Sequence, residues 1–351
     1  IIYVIILFTF YIRRHMSQII LYFIYLVFAS LFLLKITLSV LWHYNFFSQP
    51  TGRSLHKQPI ITSGGTYFVF YLILLLFTLD KKIMGENLYA IFFLLLIPII
   101  FGIFDDKKNF SQKYKLLAQI ILSLILLFLF RFELFQNLFP VIKNNYFYFL
   151  FNIFFIVGFI NFINFIDGTD GNLTLFVFFI FICLIIKLQI NFLIDQYIYL
   201  IYFLPFLISF YFFNIRKKIF LGESGSFFIS IFLILNLSYF VNKEVIFISD
   251  LLIISSYFVI DMVITFFLRL YHYGFNSFKA HRDHAYQHFC YLKRDHKKFN
   301  IYMCIYNFTY IFPLYLLNLN GYLSSLLTSL FCLIPPIFFV IKYSPLIKNR
   351  S

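Results

Sequence analysis

Apolar residues run through this chain in long blocks separated by short polar connections. A helix crossing a bilayer needs about 20 apolar residues, with a range of roughly 17–25. By that rule the pattern predicts eleven spans, at 19–42, 66–79, 88–104, 116–131, 146–166, 173–187, 197–213, 225–241, 245–267, 299–319 and 322–341. Several are short, so the expected boundaries carry a few residues of play. The one long polar stretch is 268–298. No alternating pattern of strand type recurs, so the expected fold is all-α, a polytopic integral membrane protein of about eleven transmembrane helices. It reads as one transmembrane domain over 1–351, with 1–18 an N-terminal extension of uncertain status.

Composition agrees. Hydrophobic residues make up 62% of the chain and mean hydropathy is +0.90. A soluble domain of this length could not hide so much apolar surface. The opening IIYVIILFTFYI is too short to span and precedes Arg13 and Arg14, and no cleavable signal is evident. The cysteines Cys183, Cys290, Cys304 and Cys332 show neither metal-ligand nor redox spacing. Charge is lopsided. The connections 43–65, 105–115, 167–172, 214–224, 268–298 and the C-terminal tail hold 19 of the 28 Lys and Arg residues, and those on the other side hold 8. Positive residues favour the cytoplasm, so the first set is expected there. The net charge of +14 then fits topology and attraction to anionic lipid or phosphate, and it requires no nucleic acid.

Acidic residues are scarce, 14 in 351, yet several close apolar runs on this same side. A carboxylate beside hydrocarbon is costly and so more often functional than one on a surface. The first basic loop offers Arg53, His56 and Lys57, then Gly64 and Gly65, whose backbone could approach an anion. A plain helix-start turn accounts for it equally. Asp105 and Asp106 end the third span, with Lys113 and Lys115 following. Adjacent carboxylates can share a divalent cation or hold one raised pKa, though a solvated span end with topogenic lysines reads the same way. In NFINFIDGTDGN, Asn161, Asn164 and Asp167 fall three apart and could share a helix face, and Gly168 and Gly171 allow a turn that projects Asp170. That set suits a hydrated Mg²⁺ or a sugar diphosphate; helix-to-helix hydrogen bonding is its structural reading. Glu223 lies in LGESGS, where helix-start amides could hold phosphate and the carboxylate a metal. Ser224 as an ordinary N-cap is the alternative. Last comes FKAHRDHAYQHF. If helical, it lines up His281, His284 and His288, with Lys279 and Arg282 adding charge suited to phosphate or a base. A zinc site has no cysteine pattern behind it, and a basic surface helix also fits. Asp261, inside the ninth span, reads as a partner for some polar group.

In order and on one side, PTGRSLHKQP…GG, DDKKNFSQKYKLLAQ, NFINFIDGTDG, FLGESGS and AHRDHAYQHF resemble the polyprenyl-phosphate N-acetylhexosamine-1-phosphate transferases, glycosyltransferase family 4. The resemblance spans about residues 19–341. It implies a Mg²⁺-dependent enzyme, with Mn²⁺ as a substitute, that moves a sugar-1-phosphate from a UDP-sugar to undecaprenyl phosphate and releases UMP. It implies Asp105, Asp106 and Asp170 as catalytic and Glu223 and Asp167 as metal ligands. Asn161, Asn164, Arg53, His56, Lys115, His281, Arg282 and His284 would bind substrate. Glu223 stands where the family usually has Asp, and Asn172 where an apolar residue is usual. The last loop, with Tyr286 and Gln287, looks like the branch initiating O-antigen or other surface glycans from UDP-GlcNAc or UDP-N-acetylated 6-deoxyhexoses. A bacterial inner-membrane location, a cytoplasmic active site and compatibility with a homodimer follow from the same resemblance.

Four other readings compete. One is the phospho-MurNAc-pentapeptide transferase of peptidoglycan synthesis. A lipid-linked sugar transporter should show pseudo-symmetric halves with helices broken at the midplane, and no internal repeat is evident. A membrane acyltransferase using His281 or His284 would not need the Asp-Asp pair or DGTDG. The Glu at 223 also motivates an inactive family member.

Overall fold

The computed structural model describes residues 2–50, 58–78, 88–129, 145–191, 193, 197–274 and 282–348. Arg53, His56, Lys57 and His281 lie outside the described residues. Among those described, the fold is all-α, with one two-residue strand pair. The helices are α1 (Ile2–His43), α2 (Phe68–Thr78), α3 (Leu88–Lys108), α4 (Gln112–Leu129), α5 (Asn145–Ile166), α6 (Asn172–Ile190) and α7 (Tyr199–Asn214). They continue as α8 (Gly222–Asn242), α9 (Ile248–Tyr273), α10 (Ala285–Lys293), α11 (His296–Ile305), α12 (Phe312–Leu319), α13 (Ser325–Tyr343) and α14 (Pro345–Lys348). Helices α11 and α12 run on through a π-helical segment, Tyr306–Ile311. Each of the eleven predicted spans coincides with one of these helices or with that joined pair. Seven helices among the described residues are long and apolar enough to cross a membrane.

Helix α8 is the axis of the bundle. Within its apolar window 89% is buried, against 22% for α4. It packs on α3 and α5, while α9 packs on α13, α1 on α7 and α6 on α7. The sequence permits this because the contact positions are small, as close helix packing within a membrane favours. A Cβ at Gly102 of α3 would lie 2.2 Å from the Ser224 Cα, and one at Gly65 would lie 2.2 Å from the Gly225 backbone nitrogen. Aromatic side chains fill the rest, with Phe68, Phe203, Phe228 and Phe232 in mutual ring contact.

At one end of the bundle the connections are stitched together by backbone. Strand β1 (Phe47–Ser48) pairs antiparallel with β2 (Ile60–Ile61). Ile61 also bridges to Ile219, and the Phe220 N–H donates to the Ile61 carbonyl at 2.7 Å. The Gly64 and Gly65 amides donate to the Phe220 and Leu221 carbonyls, both at 3.0 Å. The first loop is thereby fixed to the start of α8. The expected use of the paired glycines, to offer amides to an anion, is corrected here. Their amides are already satisfied, and their small size serves close packing.

At the opposite end, buried Lys187 forms an ion pair with Asp250. The sequence places Lys187 at the edge of a loop, but α6 runs on to Ile190 and takes it into the bundle.

Candidate functional site

Four connections converge at the stitched end. Asp105 and Asp106 are neighbours on the last turn of α3, and successive helical residues point about 100° apart. They therefore part. Asp105 is 2% exposed and meets the Lys115 ammonium at 2.6 Å, while its other oxygen accepts the Phe110 N–H at 2.9 Å. Asp106 turns toward α8. It accepts the Ser63 hydroxyl at 2.8 Å, the Glu223 N–H at 2.9 Å and the Ser224 N–H at 3.4 Å. So α8 is capped by a carboxylate from another helix and not by Ser224, the alternative reading of this segment. An anion at a helix start is favoured by the free N–H groups and the helix dipole. Gly222, at φ +73°, brings the backbone to this carboxylate, and a Cβ there would meet an Asp106 oxygen at 2.5 Å. The helix-start amides expected to hold phosphate are thus taken by Asp106, and the two aspartates turn to different partners.

Lys115, at the start of α4, also reaches Glu223 Oε1 at 2.6 Å. It stands between Asp105 and Glu223 and ties α3, α4 and α8 into one charged knot. Glu223 is 30% exposed at its side chain, so it can face solvent and ligand.

The DGTDG loop supplies the other carboxylates. Helix α5 ends at Ile166, so Asp167 lies just past it. Asn161 and Asn164 do not form the expected single polar face with it. The Asn161 amide donates to Gln119 Oε1 at 2.9 Å across to α4, while the Ser226 hydroxyl donates to Asn164 at 3.4 Å from α8. Asp170 is 8% exposed and is held by a residue the motif reading missed: His296 Nδ1 lies 2.7 Å from its Oδ2. The adjacent Gly171 amide donates to Asn214, whose own amide donates to the Ile219 carbonyl at 2.7 Å. Asn172, where an apolar residue is usual, donates to the Ile166 carbonyl at 3.1 Å and closes the loop on itself.

Two carboxyl groups carry raised pKa values. Burial pushes Asp106, just past the apolar part of α3, up to about 6, against the lowering by its Glu223 and Ser63 hydrogen bonds. Asp167 is pushed well above the carboxylate range, first by burial and then by repulsion from Glu223, Asp170 and Asp106. Part of the Asp167 residue still meets solvent. The carboxylate itself has no hydrogen bond or ion pair among the described residues.

Among the described residues, no three His, Cys, Asp or Glu side chains form a ready-made metal cage. Mg²⁺ does not require one, since it usually takes one or two carboxylates and completes its shell with water and substrate phosphates. An unpaired, crowded Asp167 facing the charge of Glu223 fits that mode. Charge loss at Glu223 is then expected to outweigh change of shape. Glu223→Gln should cut turnover by about 10²-fold or more, as loss of an electrostatic stabiliser does. Glu223→Asp should stay within about an order of magnitude of wild type, the scale of a small misplacement. Equal product release by wild type and Glu223→Gln at saturating Mg²⁺ would make Glu223 a helix-start residue only.

The last loop differs from its expected form. Helix α10 starts only at Ala285, with His284 as its extended N-cap, so His284 and His288 do not share a helical face. His284 is buried, its ring 3.9 Å from that of Phe165 between centroids. His288 Nδ1 lies 2.7 Å from the Tyr343 carbonyl, facing α13. Arg282 is exposed. Intramembrane Asp261 finds its partners here, accepting the Ala285 and Tyr286 N–H groups at 3.0 and 3.2 Å. Arg269, one turn from the end of α9, pairs with Asp283. Helix α9 thus anchors the loop twice.

The described residues form a helical bundle of membrane-span type with a carboxylate–lysine knot at the ends of its spans. Residues 88–240 match glycosyl transferase family 4, the family the motifs resemble. The matched stretch holds Asp105, Asp106, Lys115, Asp167, Asp170 and Glu223. The family in general implies a polyprenyl-phosphate sugar-1-phosphate transferase. No curated protein matches the chain.

Proposed function

We propose that this chain transfers a sugar-1-phosphate from a UDP-N-acetylhexosamine, UDP-GlcNAc or an N-acetylated 6-deoxyhexose, to undecaprenyl phosphate and releases UMP. It would thereby open the synthesis of O-antigen or another surface polysaccharide, at the cytoplasmic face of a bacterial inner membrane. The carrying observation is an apolar groove that runs into the charged knot. The groove, about 570 Å³, lies along α3 and α4 and is lined by Phe101, Phe104, Tyr114, Leu117, Ile121 and Phe227, among others. Phe101 and Phe227 also border a small polar pocket with Lys115, Gln119, Asn164 and Glu223. An isoprenoid tail and a phosphate head need those two surfaces side by side.

In the reaction an oxygen of the lipid phosphate forms a bond to the β-phosphorus of the UDP-sugar. The bond from that phosphorus to the bridging oxygen breaks, and UMP departs with the oxygen and its electron pair. Direct attack and an aspartyl-phosphate intermediate both suit the residues. Phosphoryl transfer calls chiefly for positioning and charge neutralisation. Lys115 supplies positive charge where the groove meets the pocket. Asp106 holds the start of α8 so that Glu223 keeps its place. Asp167 and Glu223 would hold Mg²⁺, which when bound offsets diphosphate charge.

The purified chain with undecaprenyl phosphate, Mg²⁺ and a panel of UDP-sugars should release UMP with one or a few donors. EDTA should stop release, and Mg²⁺ or Mn²⁺ should restore it. Full turnover in chelator would remove the metal from the proposal, and no UMP with any donor would remove the proposal itself.

A further inference from the structure

Helix α11 lies outside the matched stretch, yet it grips the DGTDG loop at two points. Asp295 caps it, accepting the Lys297 N–H at 2.9 Å, which sets the first turn. His296 and Asn300 then fall four residues apart, on one helix face. The Asn300 side-chain amide donates to the Asp170 carbonyl at 2.8 Å. His296 Nδ1 lies 2.7 Å from Asp170 Oδ2 and 3.1 Å from the Asp170 amide nitrogen. One nitrogen cannot serve both. With a proton it donates to the carboxylate, and without one it accepts from the amide and sets its lone pair against the carboxylate. The shorter contact and the charge on its acceptor favour the protonated nitrogen. The ring is 16% exposed and the carboxylate 8%, so water competes little for this bond. Asn300 is buried and fixes the backbone beneath it.

We infer that His296 is a positioning residue: through Nδ1–H it fixes the Asp170 carboxylate, with Asn300 holding the loop backbone, so that Asp170 meets the reacting diphosphate in one orientation. The inference rests on the proposed transfer reaction. Without the imidazole, the Asp170 carboxylate would be free to turn away from the like charge around Asp167. Small misplacement of a reacting group costs rate much more than binding.

The test uses the full-length chain, with wild type, His296→Ala, His296→Asn, Asp170→Asn and the double variant Asp170→Asn/His296→Ala. His296→Ala should lower kcat by about 10–100-fold, with KM for the UDP-sugar within about threefold. His296→Asn keeps an N–H donor near the Nδ1 position and should recover most of that loss. In the Asp170→Asn background, His296→Ala should cost nothing further, because the two groups act as one unit. Wild-type kcat in His296→Ala, equal losses in the Ala and Asn variants, or fully additive losses would each overturn the inference. A wild type that releases no UMP defeats the proposed reaction instead. The link is then read without turnover, from the Nδ1–H resonance of the histidine-labelled chain. That resonance should be shifted downfield by its carboxylate partner and should move in Asp170→Asn. An unmoved resonance overturns the inference.

Discussion

Asp167→Asn is expected to lower UMP release by about 10³-fold or more, the scale of losing a principal electrostatic stabiliser in a phosphoryl-transfer site. The substitution keeps size and shape. Because the carboxylate has no protein partner among the described residues, folding should not suffer, and at a pH high enough to ionise the crowded carboxyl the substitution should even help. Asp167 is pushed upward by burial and by Glu223, Asp170 and Asp106, so in the folded chain it holds its proton more tightly than when unfolded. The same sign holds for Asp106, raised to about 6. The stability this tight proton contributes is fully present below the ordinary carboxylate pKa and is lost as pH rises through the folded value. Activity runs the other way, since metal binding and capping use the ionised forms. UMP release should therefore fall as pH drops, first as Asp167 takes up its proton and further through about 6, the value raised at Asp106, and saturating Mg²⁺ should move that acid flank lower by favouring ionised ligands. Measurements are UMP release from pH 5 to 8 for wild type and Asp167→Asn, with thermal unfolding in detergent. An Asp167→Asn chain that keeps wild-type turnover would leave the metal without its central ligand.

The spans were legible because hydrophobic run length alone decides them. Membrane crossing must satisfy its backbone internally, and each run found its helix. The site was half legible. Asp105, Asp106, Lys115 and Glu223 do converge, because span ends on one side of a bundle have few other places to lie. What their side chains do there was hidden. Whether Asp106 faces a metal or the start of α8 depends on how α3 rotates against α8, which Gly102 and Gly65 settle through contacts far apart in sequence. His296 carried no signal as a lone histidine in a basic segment. Its i, i+4 relation to Asn300 is visible only to a reader who knows that the face meets the DGTDG loop. Asp261 could be flagged as a costly intramembrane charge, and Thr265, four residues on, does donate to it at 3.1 Å, but the Ala285 and Tyr286 N–H groups that it holds come from a distant loop, which no side-chain pattern reveals. The pairing of His284 with His288 on one helical face failed for a simpler reason: the helix starts at Ala285, after His284.

Lys115→Met is expected to damage both stability and rate, and the two losses can be separated. Lys115 meets Asp105 and Glu223, each at 2.6 Å, and Asp105 is almost fully buried. Removing one partner of a buried pair leaves an uncompensated charge and costs about 3–5 kcal/mol in fully buried cases. Lys115 is 28% exposed, so solvent should bring the cost toward or below the lower end of that range. Turnover should fall by about 10²–10³-fold, since the ammonium also stands where the lipid groove meets the polar pocket and would neutralise phosphate charge. Lys115→Arg keeps the charge and can bridge two carboxylates, so stability should hold. Its planar fork places that charge differently from a compact ammonium, so rate should still drop. The separating experiment is Lys115→Met with Asp105→Asn. Neutralising the stranded carboxylate should restore much of the thermal midpoint, because Asp105 then needs no counter-ion. It should not restore UMP release, because the phosphate still lacks its cation. Recovery of both in the double variant would mean that Lys115 serves Asp105 alone, and the phosphate charge would then have to be met by metal and loop arginine.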